Sequence, residues 1–284
     1  MSKRQASRGK TADTSGRTLS LHEVGEQLGV HYMTVYRYVR TGRLPATKPN
    51  GVWEVDSRHL DGLRSTPVRT AGRRGRPAYP RRVSELVGRL VAGDEAGAWA
   101  IVESVLAGGA SPSDLYLRLF VPALRVVGES WQRGDISVAD EHCATVVMQR
   151  LVGRMGPLFR RPGRTRGIVV LGAPEGDLHG LPTALAADVL RAGGFVVIDL
   201  GANVPTQSFV DCVQRLPRVI AVGIAVTTSG RATVAGRLVA DLRAVVDVPI
   251  ILGGSGIDEG AARRLGADQW AEGAQQLLHL VREL

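Results

Sequence analysis

The 284-residue sequence contains only two cysteines, Cys143 and Cys212, and they lie far apart along the chain. This spacing excludes a disulfide framework and favours a reducing compartment, so we expect a cytoplasmic protein. The sequence also lacks any apolar run of about eighteen residues, the length that a transmembrane helix needs, so we expect no membrane partner. The first five residues are polar and basic with no apolar stretch after them, which is not the pattern of a secretory signal.

Acidic residues are scarce in the first part of the chain. Residues 1–82 contain 17 Lys and Arg against 6 Asp and Glu, a net charge of +11. Residues 83–284 contain 19 against 21, a net charge of −2. The basic excess therefore lies entirely in the N-terminal part, which favours an anionic polymer as its partner. Charge alone leaves open the other interpretation, a solubilising basic tail.

The N-terminal part has the pattern of a small helical domain. Residues 1–17 are polar and aperiodic, which predicts a disordered tail. Ser20 and Glu23 then form a capping box, and Gly29 is suited to end the helix that it begins. A second short helix is expected from about Tyr32 to Arg40. Two helices joined by a tight turn that contains glycine are typical of a helix-turn-helix, whose second helix enters the major groove of DNA.

A hairpin and a third helix complete this predicted domain. Asn50-Gly51 is a strong signal for the turn of a hairpin between Thr47 and Val55. A third helix is expected over residues 57–63, so the whole module, a winged helix-turn-helix, covers residues 18–63. The side chains expected to contact DNA are Tyr32, Thr34, Arg37, Arg40, Arg43 and Lys48.

Two further domains are predicted after a basic linker at residues 64–82, which is rich in Pro, Gly and Arg. Apolar residues at helical spacing predict four helices and short connections over residues 83–160, the pattern of a four-helix bundle. Residues 165–284 alternate strand and helix, which predicts a doubly wound parallel sheet of the flavodoxin-like type. The strands are expected at Ile168–Leu171, Phe195–Leu200, Val219–Val226, Ile250–Leu252 and Gln269–Ala271. The helices between and after them are expected at Thr183–Ala192, Gln207–Leu216, Arg231–Val245, Gly260–Leu265 and Ala274–Leu284.

The segment from Glu175 to Gly180 contains the strongest signal for a site. It follows a buried parallel strand, so it lies at the carboxyl edge of the sheet, where such folds bind ligands. Asp177 can accept a hydrogen bond from one ring nitrogen of His179 and leave the other nitrogen free for a metal. An unrelated flavodoxin-like domain, such as a response-regulator receiver, is the alternative. A receiver needs an acidic cluster after the first strand and an Asp after the third, and neither is present.

A second motif lies in the predicted bundle. Trp131 ends one helix, and the pair Glu141-His142, separated from it by nine residues, opens the next. These three side chains can therefore meet at one end of the bundle. Core packing of Trp131 and a favourable helix-dipole position for Glu141 are the alternative explanation.

Together these motifs resemble a family of MerR-like helix-turn-helix regulators with a cobalamin-binding domain, the CarH/LitR class of light-responsive repressors. The resemblance implies adenosylcobalamin as cofactor, with His179 as the lower axial ligand of cobalt. It also implies a non-enzymatic repressor that binds double-stranded operator DNA as a dimer or tetramer controlled by the cofactor. Well-studied members have a His after the Trp, where this chain has Gln132, so an altered light response is expected. The cofactor-binding residues implied are Trp131, Glu141, His142, Glu175, Asp177, His179, Gly180, Thr227, Ser229, Gly253 and Gly254.

Two other functions remain open from the sequence. A bundle followed by a cobalamin domain is also the arrangement of corrinoid-binding methyltransferase subunits, and a cobalamin domain alone occurs in mutase subunits. A regulator with a degenerate domain that no longer binds the cofactor is the other alternative.

Overall fold

A computed structural model describes residues 17–28, 32–40, 43–49, 52–60, 79–160 and 163–284. The chain divides into two compact units, one of residues 1–82 and Ala100–Ser111, the other of Val83–Trp99 and Pro112–Leu284. The predicted tail, apart from its last residue, and most of the predicted linker lie outside the described residues. The linker prediction was too long, because a helix begins at Tyr79. Within the described ranges, no helix is long and apolar enough to cross a membrane.

The first unit contains short elements around a small apolar core. They are strand β1 (Thr18–Ser20), helix α1 (Leu21–Leu28), helix α2 (Tyr32–Arg40), strand β2 (Glu54–Asp56) and a 3₁₀ turn (Ser57–Leu60). The predicted capping box is present: the amide of Ser20 donates to Glu23 at 2.8 Å, and the amide of Glu23 donates to Ser20 Oγ at 3.3 Å. The buried core residues are Leu19, Leu21, Val24, Val35, Leu44, Val55 and Leu60.

The predicted wing and third helix are described only in part. Thr47 and Glu54 exchange backbone hydrogen bonds of 2.9 and 2.8 Å, but β2 pairs mainly with β1, an antiparallel partner that periodicity did not predict. Asn50 and Gly51, the expected turn, lie outside the described residues. The first four residues of the predicted third helix, Ser57–Leu60, form a 3₁₀ turn, which begins where the amide of Arg58 donates to the Asp56 carboxylate at 2.9 Å. The rest of that predicted helix, residues 61–63, lies outside the described residues.

Four successive helices confirm the predicted helical bundle. They are α3 (Tyr79–Val91), α4 (Glu95–Ala107), α5 (Pro112–Leu115, the π-helical turn Tyr116–Phe120, then Val121–Gln132) and α6 (Val138–Met155). The π-helical turn was not predicted. Helix α6 starts with a capping box in which the Ser137 hydroxyl oxygen accepts the amide of Asp140 and the Asp140 carboxylate accepts the amide of Ser137. A 3₁₀ turn, Gly156–Phe159, follows α6.

The C-terminal half is the predicted doubly wound sheet. Its strands are β3 (Ile168–Gly172), β4 (Val196–Asp199), β5 (Val219–Ala225), β6 (Ile250–Gly253) and β7 (Gln269–Ala271). Its helices are α7 (Leu181–Ala192), α8 (Thr206–Arg215), α9 (Ala232–Arg243), α10 (Glu259–Arg264) and α11 (Ala274–Arg282). All strands are parallel, in the order β4-β3-β5-β6-β7. Leu171 pairs with Asp199 on one side and Gly223 on the other, so the loops after β3, β4 and β5 emerge side by side.

A buried polar contact joins the bundle to the sheet domain. The Tyr116 hydroxyl, at the start of the π-helical turn, donates to Asp188 Oδ2 on α7 at 2.8 Å. Arg191 pairs with the other oxygen of Asp188 at 2.9 Å. The Tyr116 ring lies 5.2 Å from the ring of Phe120 and 4.5 Å from that of Phe159, measured between centroids. Burial raises the pKa of Tyr116, and the negative charge of Asp188 raises it further, so the phenol keeps its proton.

Candidate functional site

The loop between β3 and α7 is held by the loop that follows β4. The amide of Val204 donates to the carbonyl of Ala173 at 3.0 Å, and the amide of Asn203 donates to the carbonyl of Asp177 at 2.8 Å. In return, the amide of Gly176 donates to Asn203 Oδ1 at 2.7 Å. Asn203 has a φ of 54°, a left-handed conformation that Asn tolerates better than most residues. The loop that precedes His179 is therefore fixed by backbone bonds on this side.

Gly176 makes the tight turn of this loop possible. Its φ is 81°, which a residue with a side chain adopts only at a cost of about 1–2 kcal/mol. A Cβ at this position would also lie 2.5 Å from Nη1 of Arg231, which comes from the loop after β5. A glycine here allows both the turn and the close approach of that guanidinium.

The Asp177 carboxylate is the most constrained group of the loop. It is fully buried, and it accepts from the amides of Thr227 (2.6 Å) and Thr228 (2.9 Å) at Oδ2. At Oδ1 it accepts from the Thr228 hydroxyl (3.1 Å), from the His179 amide (3.2 Å) and from His179 Nδ1 (2.9 Å). These bonds connect the loop after β3 to the loop after β5. The spacing of Asp177 and His179 predicted the ring contact, and the structure contains it.

Two opposing effects act on the pKa of Asp177. Burial raises it, whereas the bonds donated by Thr228, His179 and Thr227 lower it, and together these bonds outweigh burial. The pKa therefore lies below the ordinary value of an Asp side chain, and the group is a carboxylate. Because a carboxylate can only accept, Nδ1 of His179 carries the proton in this contact.

His179 presents its other ring nitrogen outward. Its side chain is 56% exposed, and the Asp177 contact assigns the proton to Nδ1, so Nε2 has a free lone pair. Leu178, between the two residues, is 74% exposed. An imidazole that is oriented by a carboxylate and has a free lone pair, at the carboxyl edge of a parallel sheet, has the arrangement that metal-binding histidines use.

The residues after β5 differ in part from the prediction. Thr227 and Ser229 are the predicted binding residues, but Thr228 makes two of the five bonds to Asp177. Sequence reasoning missed this role of Thr228 and missed Asn203, because neither contact leaves a trace in local spacing. The hydroxyl of Thr227 is the one buried side-chain polar atom without a hydrogen-bond partner in the described residues. An orphaned buried hydroxyl of this kind fits a bound polar group.

Gly253 and Gly254 have a structural explanation. A Cβ on Gly253 would lie 2.4 Å from the carbonyl oxygen of Ala271, and one on Gly254 would lie 2.4 Å from that of Val226. Gly254 also has a φ of 108°. Neighbouring backbone alone therefore requires both glycines, whether or not a cofactor tail passes beside them.

The other predicted residues of the sheet domain lie at the surface of the same edge. Glu175 and Ser229 are exposed, and Gly180 is the N-cap of α7. The carbonyl of Gly180 accepts from the Thr183 hydroxyl at 2.9 Å, which fixes the start of the helix directly after His179. Pro182 lies in the first turn of this helix, where a missing amide proton costs nothing.

The residues predicted to meet at the end of the bundle are mostly exposed. Trp131 is 47% exposed one residue before the end of α5, and the His142 side chain is 73% exposed. Glu141 accepts from the Thr145 hydroxyl at 2.8 Å and pairs with His142 Nδ1 at 3.0 Å. In the described part of the chain, no hydrogen bond or ion pair connects these three residues to Asp177 or His179. Exposure of Trp131 contradicts the alternative of core packing.

The described residues contain no group of three or more His, Cys, Asp or Glu side chains that could hold a metal ion. A bare ion needs several protein ligands, whereas a metal within an organic ring brings most of its own. The oriented His179, the orphaned Thr227 hydroxyl and the exposed Trp131 therefore fit a cofactor that carries its own equatorial ligands.

Of the residues predicted to contact DNA, three have described side chains, and each lies against an aromatic ring of its own unit. Tyr32 stacks on His22 at 5.3 Å, measured between ring centroids. The guanidinium carbon of Arg43 lies 4.8 Å from the Tyr38 ring centroid, and Lys48 Nζ lies 5.5 Å from that of Trp53. The side chains of Thr34, Arg37 and Arg40 lie outside the described residues.

Comparison with known proteins identifies the cofactor. Residues 83–155 match one B12 binding domain family, and residues 167–279 match another. Trimethylamine corrinoid protein 1 of Methanosarcina acetivorans is 29% identical over 194 residues, which cover 66% of this chain and 90% of that protein. The dimethylamine corrinoid protein of Methanosarcina barkeri is 25% identical over 207 residues, 71% of this chain and 96% of that protein. The solved monomethylamine corrinoid protein of Methanosarcina barkeri has the same fold, with a TM-score of 0.65 at 20% identity over 72% of this chain and 99% of that chain.

These relatives correct several expectations. They are corrinoid proteins named after methylamines, which contradicts the assignment to light-responsive CarH/LitR repressors. That assignment also implied operator DNA as a partner, control of DNA binding by a cofactor-dependent dimer or tetramer, and a role outside enzyme systems. The relatives contradict these expectations as well. The basic N-terminal part and the Trp131 motif favoured that assignment over the corrinoid methyltransferase subunit, the alternative that these relatives support better. Residues 83–155 and 167–279 instead form a helical bundle and a parallel-sheet domain for a cobalamin-type corrinoid cofactor.

Proposed function

We propose that this protein is the corrinoid-binding subunit of a methyltransferase system, in which it carries a methyl group between partner active sites. The observation that carries the proposal is the Asp177–His179 pair, whose Nδ1–Oδ1 bond of 2.9 Å leaves one ring nitrogen free at the edge of a B12-binding sheet. Support comes from the methylamine corrinoid proteins, which share both the bundle and the sheet domain. The proposed cofactor region consists of residues 83–160 and 165–284.

His179 is proposed as the lower ligand of cobalt. Asp177 holds the Nδ1 proton, fixes the ring orientation and increases the electron density available at Nε2. Thr227 and Thr228 keep Asp177 ionised by donating to it. When bound, the corrinoid supplies a cobalt centre that accepts and releases a methyl group.

Further residues at the same edge are proposed to contact the cofactor. The Thr227 hydroxyl, which lacks a partner in the described residues, is available to a polar group of the cofactor tail, and Ser229 lies two positions further along the same loop. The other proposed contacts are Glu175, Gly180, Gly253 and Gly254.

Trp131, Glu141 and His142 are proposed to cover the upper face of the ring. Their exposure suits this role, because a methyl group must pass between this face and a partner subunit. The partner is therefore proposed to be a methyltransferase subunit that docks at the same face. An adenosyl group would occupy the position that the methyl group needs, so we propose that adenosylcobalamin is not the working form.

Reconstitution tests this proposal. The purified chain is incubated with hydroxocobalamin, freed of excess cofactor and analysed for cobalt, with His179→Ala as the matched variant. We expect equimolar cobalt in the wild type. In the reduced cobalt(II) form, electron paramagnetic resonance should show nitrogen splitting that changes with ¹⁵N-histidine and is absent in His179→Ala.

Methyl transfer is tested separately. After reduction, methyl iodide should alter the absorption spectrum of the protein-bound corrinoid without releasing it, and a methyltransferase partner should reverse that change. Absence of bound cobalt in the wild type, or release of the corrinoid when it is methylated, would contradict the carrier function.

A further inference from the structure

Arg231 is an unusual arginine at the same edge of the sheet. It directly precedes α9, and its guanidinium lies against the backbone of Gly176, three residues before His179. A Cβ on Gly176 would be 2.5 Å from Nη1 and 2.6 Å from Cζ of Arg231, so the guanidinium is in contact with the loop that holds the imidazole. Arg231 is partly buried there.

The guanidinium of Arg231 has no hydrogen-bond or ion-pair partner among the described residues. Arg191, the other partly buried arginine among the described residues of the sheet domain, does have one, because it pairs with Asp188. Arginine stays charged at physiological pH, and a charge that leaves water without a partner is costly. Glu175 and Asp177 flank Gly176 in the loop, and neither makes an ion pair with Arg231 within 4.0 Å.

A partly buried cation with five free donors fits an oxygen acceptor supplied from outside the chain. The guanidinium is planar: it can bind two phosphate oxygens through two parallel bonds, and it can donate to the single oxygen of a carboxamide. A cobalamin presents both kinds of acceptor: carboxamides around the rim of the ring, and one phosphodiester in the nucleotide loop.

We propose that Arg231 binds an oxygen acceptor of the corrinoid, a rim carboxamide or the nucleotide-loop phosphate, beside the loop that presents His179. This rests on the proposed cofactor site. Arg231 then acts as a specificity residue for the cofactor, and its contact with Gly176 aligns the acceptor with the imidazole. Arg231, from the loop after β5, thereby contacts both the cofactor and the loop after β3.

Equilibrium dialysis of full-length protein tests the proposal. The variants are Arg231→Gln, Arg231→Lys and, as the matched control, Arg237→Gln, which alters an exposed arginine on α9 itself. The probes are hydroxocobalamin and cobinamide, which has the carboxamides but neither the nucleotide nor its phosphodiester. We expect Arg231→Gln to weaken hydroxocobalamin binding about tenfold to a hundredfold, Arg231→Lys less, and Arg237→Gln not measurably.

The two probes distinguish the two sources of the acceptor. Weaker binding of both probes by Arg231→Gln assigns a rim carboxamide, and weaker binding of hydroxocobalamin alone assigns the phosphate. Equal affinities of wild type and Arg231→Gln for both probes would overturn the inference while leaving the proposed function intact. Failure of the wild type to bind either probe would overturn both.

A second measurement separates cofactor contact from loop support. In hydroxocobalamin-loaded and reduced Arg231→Gln, the histidine nitrogen splitting should persist, because Asp177 and not Arg231 orients His179. Loss of this splitting at full cobalt loading would show that Arg231 supports the loop and does not bind the cofactor.

Discussion

The two proposed faces of the corrinoid site are built in different ways. The lower side, the loop of Asp177 and His179, is tied to the loops after β4 and β5, and its central carboxylate is fully buried with five donors. On the upper side, the described side-chain hydrogen bond of Glu141 is local: it joins Glu141 to Thr145, one turn further along the same helix. One side is held by long-range bonds and the other by local ones.

This difference indicates that the ligand loop of the lower side is already fixed before any cofactor is bound. A ligand loop fixed in advance loses little entropy on binding, so the imidazole is ready for a metal. The exposed Trp131 instead gains a packing partner only when a large apolar surface covers it. We therefore expect mutations of the lower side to change stability, and mutations of the upper side to change cofactor binding alone.

The largest expected effect is that of Asp177→Ala. It leaves the amides of Thr227 and Thr228 without an acceptor in a buried place, at about 1–3 kcal/mol for each unpaired group. The free energy of unfolding, measured by urea titration without cofactor, should fall by about 2–6 kcal/mol in total. Glu141→Ala is the control from the upper side and should change it by less than about 0.5 kcal/mol. Equal losses in the two variants would contradict the contrast between the two sides.

Tyr116→Phe is expected to have the next largest effect, because it removes a buried hydrogen bond to Asp188. A bond to a charged group contributes about 1.5–3 kcal/mol, and the free energy of unfolding should fall by that amount. The Tyr116–Asp188 contact positions the bundle on the sheet domain and does not touch the ligand loop. The histidine nitrogen splitting of reduced, loaded protein should therefore be unchanged, and its loss would show that the two sides are coupled.

The same variant has a predictable dependence on pH. Burial, reinforced by Asp188, raises the pKa of Tyr116 above its ordinary value of about 10. Above that pH the unfolded chain loses the phenolic proton while the folded chain keeps it, so rising pH favours unfolding, by up to about 1.4 kcal/mol per pH unit. Tyr116→Phe has no phenolic proton at this position, so its stability lacks this dependence on pH. The stability difference between wild type and variant should therefore shrink above about pH 10 and be constant below it.

Replacing a glycine of the ligand loop by alanine should lower stability by a smaller amount, and a second glycine with a similar φ provides the matched control. Gly176, in the ligand loop, and Gly134, between α5 and α6, have φ values of 81° and 76°. Alanine at either position should cost about 1–2 kcal/mol of backbone strain, measured by urea titration. Only Gly176→Ala meets another group, Arg231, so only this variant should also weaken hydroxocobalamin binding. Weaker hydroxocobalamin binding by Gly134→Ala would show that backbone strain between α5 and α6 is transmitted to the cofactor site, and would contradict this prediction.

The smallest effect on stability is expected for Trp131→Ala. The side chain is 47% exposed, so its removal should change the free energy of unfolding by less than about 0.5 kcal/mol. The fluorescence of Trp131, taken as the difference between wild type and this variant, should fall when hydroxocobalamin binds. A large loss of stability without cofactor would mean that Trp131 already belongs to a packed core.

Local pattern predicted most of the fold. Apolar periodicity located all five strands of the sheet, and the bounds of β7, Gln269–Ala271, agree in full. It also located the helices of the bundle, because each buries one face at a spacing that the sequence repeats. The π-helical turn at Tyr116–Phe120 was missed, since no spacing of apolar residues distinguishes it from an α-helical turn.

The candidate site was predicted only where it is local in sequence. Asp177 and His179 are two residues apart, so their contact could be read directly. Thr228, Asn203 and Arg231 reach the same loop from 27 to 55 residues further along the chain, and only the parallel strand order brings them there. For function, the sequence pattern of a bundle followed by a cobalamin domain fits both a regulator and a corrinoid methyltransferase subunit, and the relatives favour the second.

The π-helical turn fixes the direction in which the upper side faces. Such a turn contains one residue more than an α-helical turn, and each residue of a helix corresponds to a rotation of about 100°. Everything after Phe120, including Trp131, is therefore rotated by about that angle relative to the bundle residues before Tyr116. Deleting one residue of the turn would restore an ordinary helix and turn Trp131 toward a different neighbour. One extra residue in a single turn thus determines the direction around the helix axis in which a side chain eleven positions further on points.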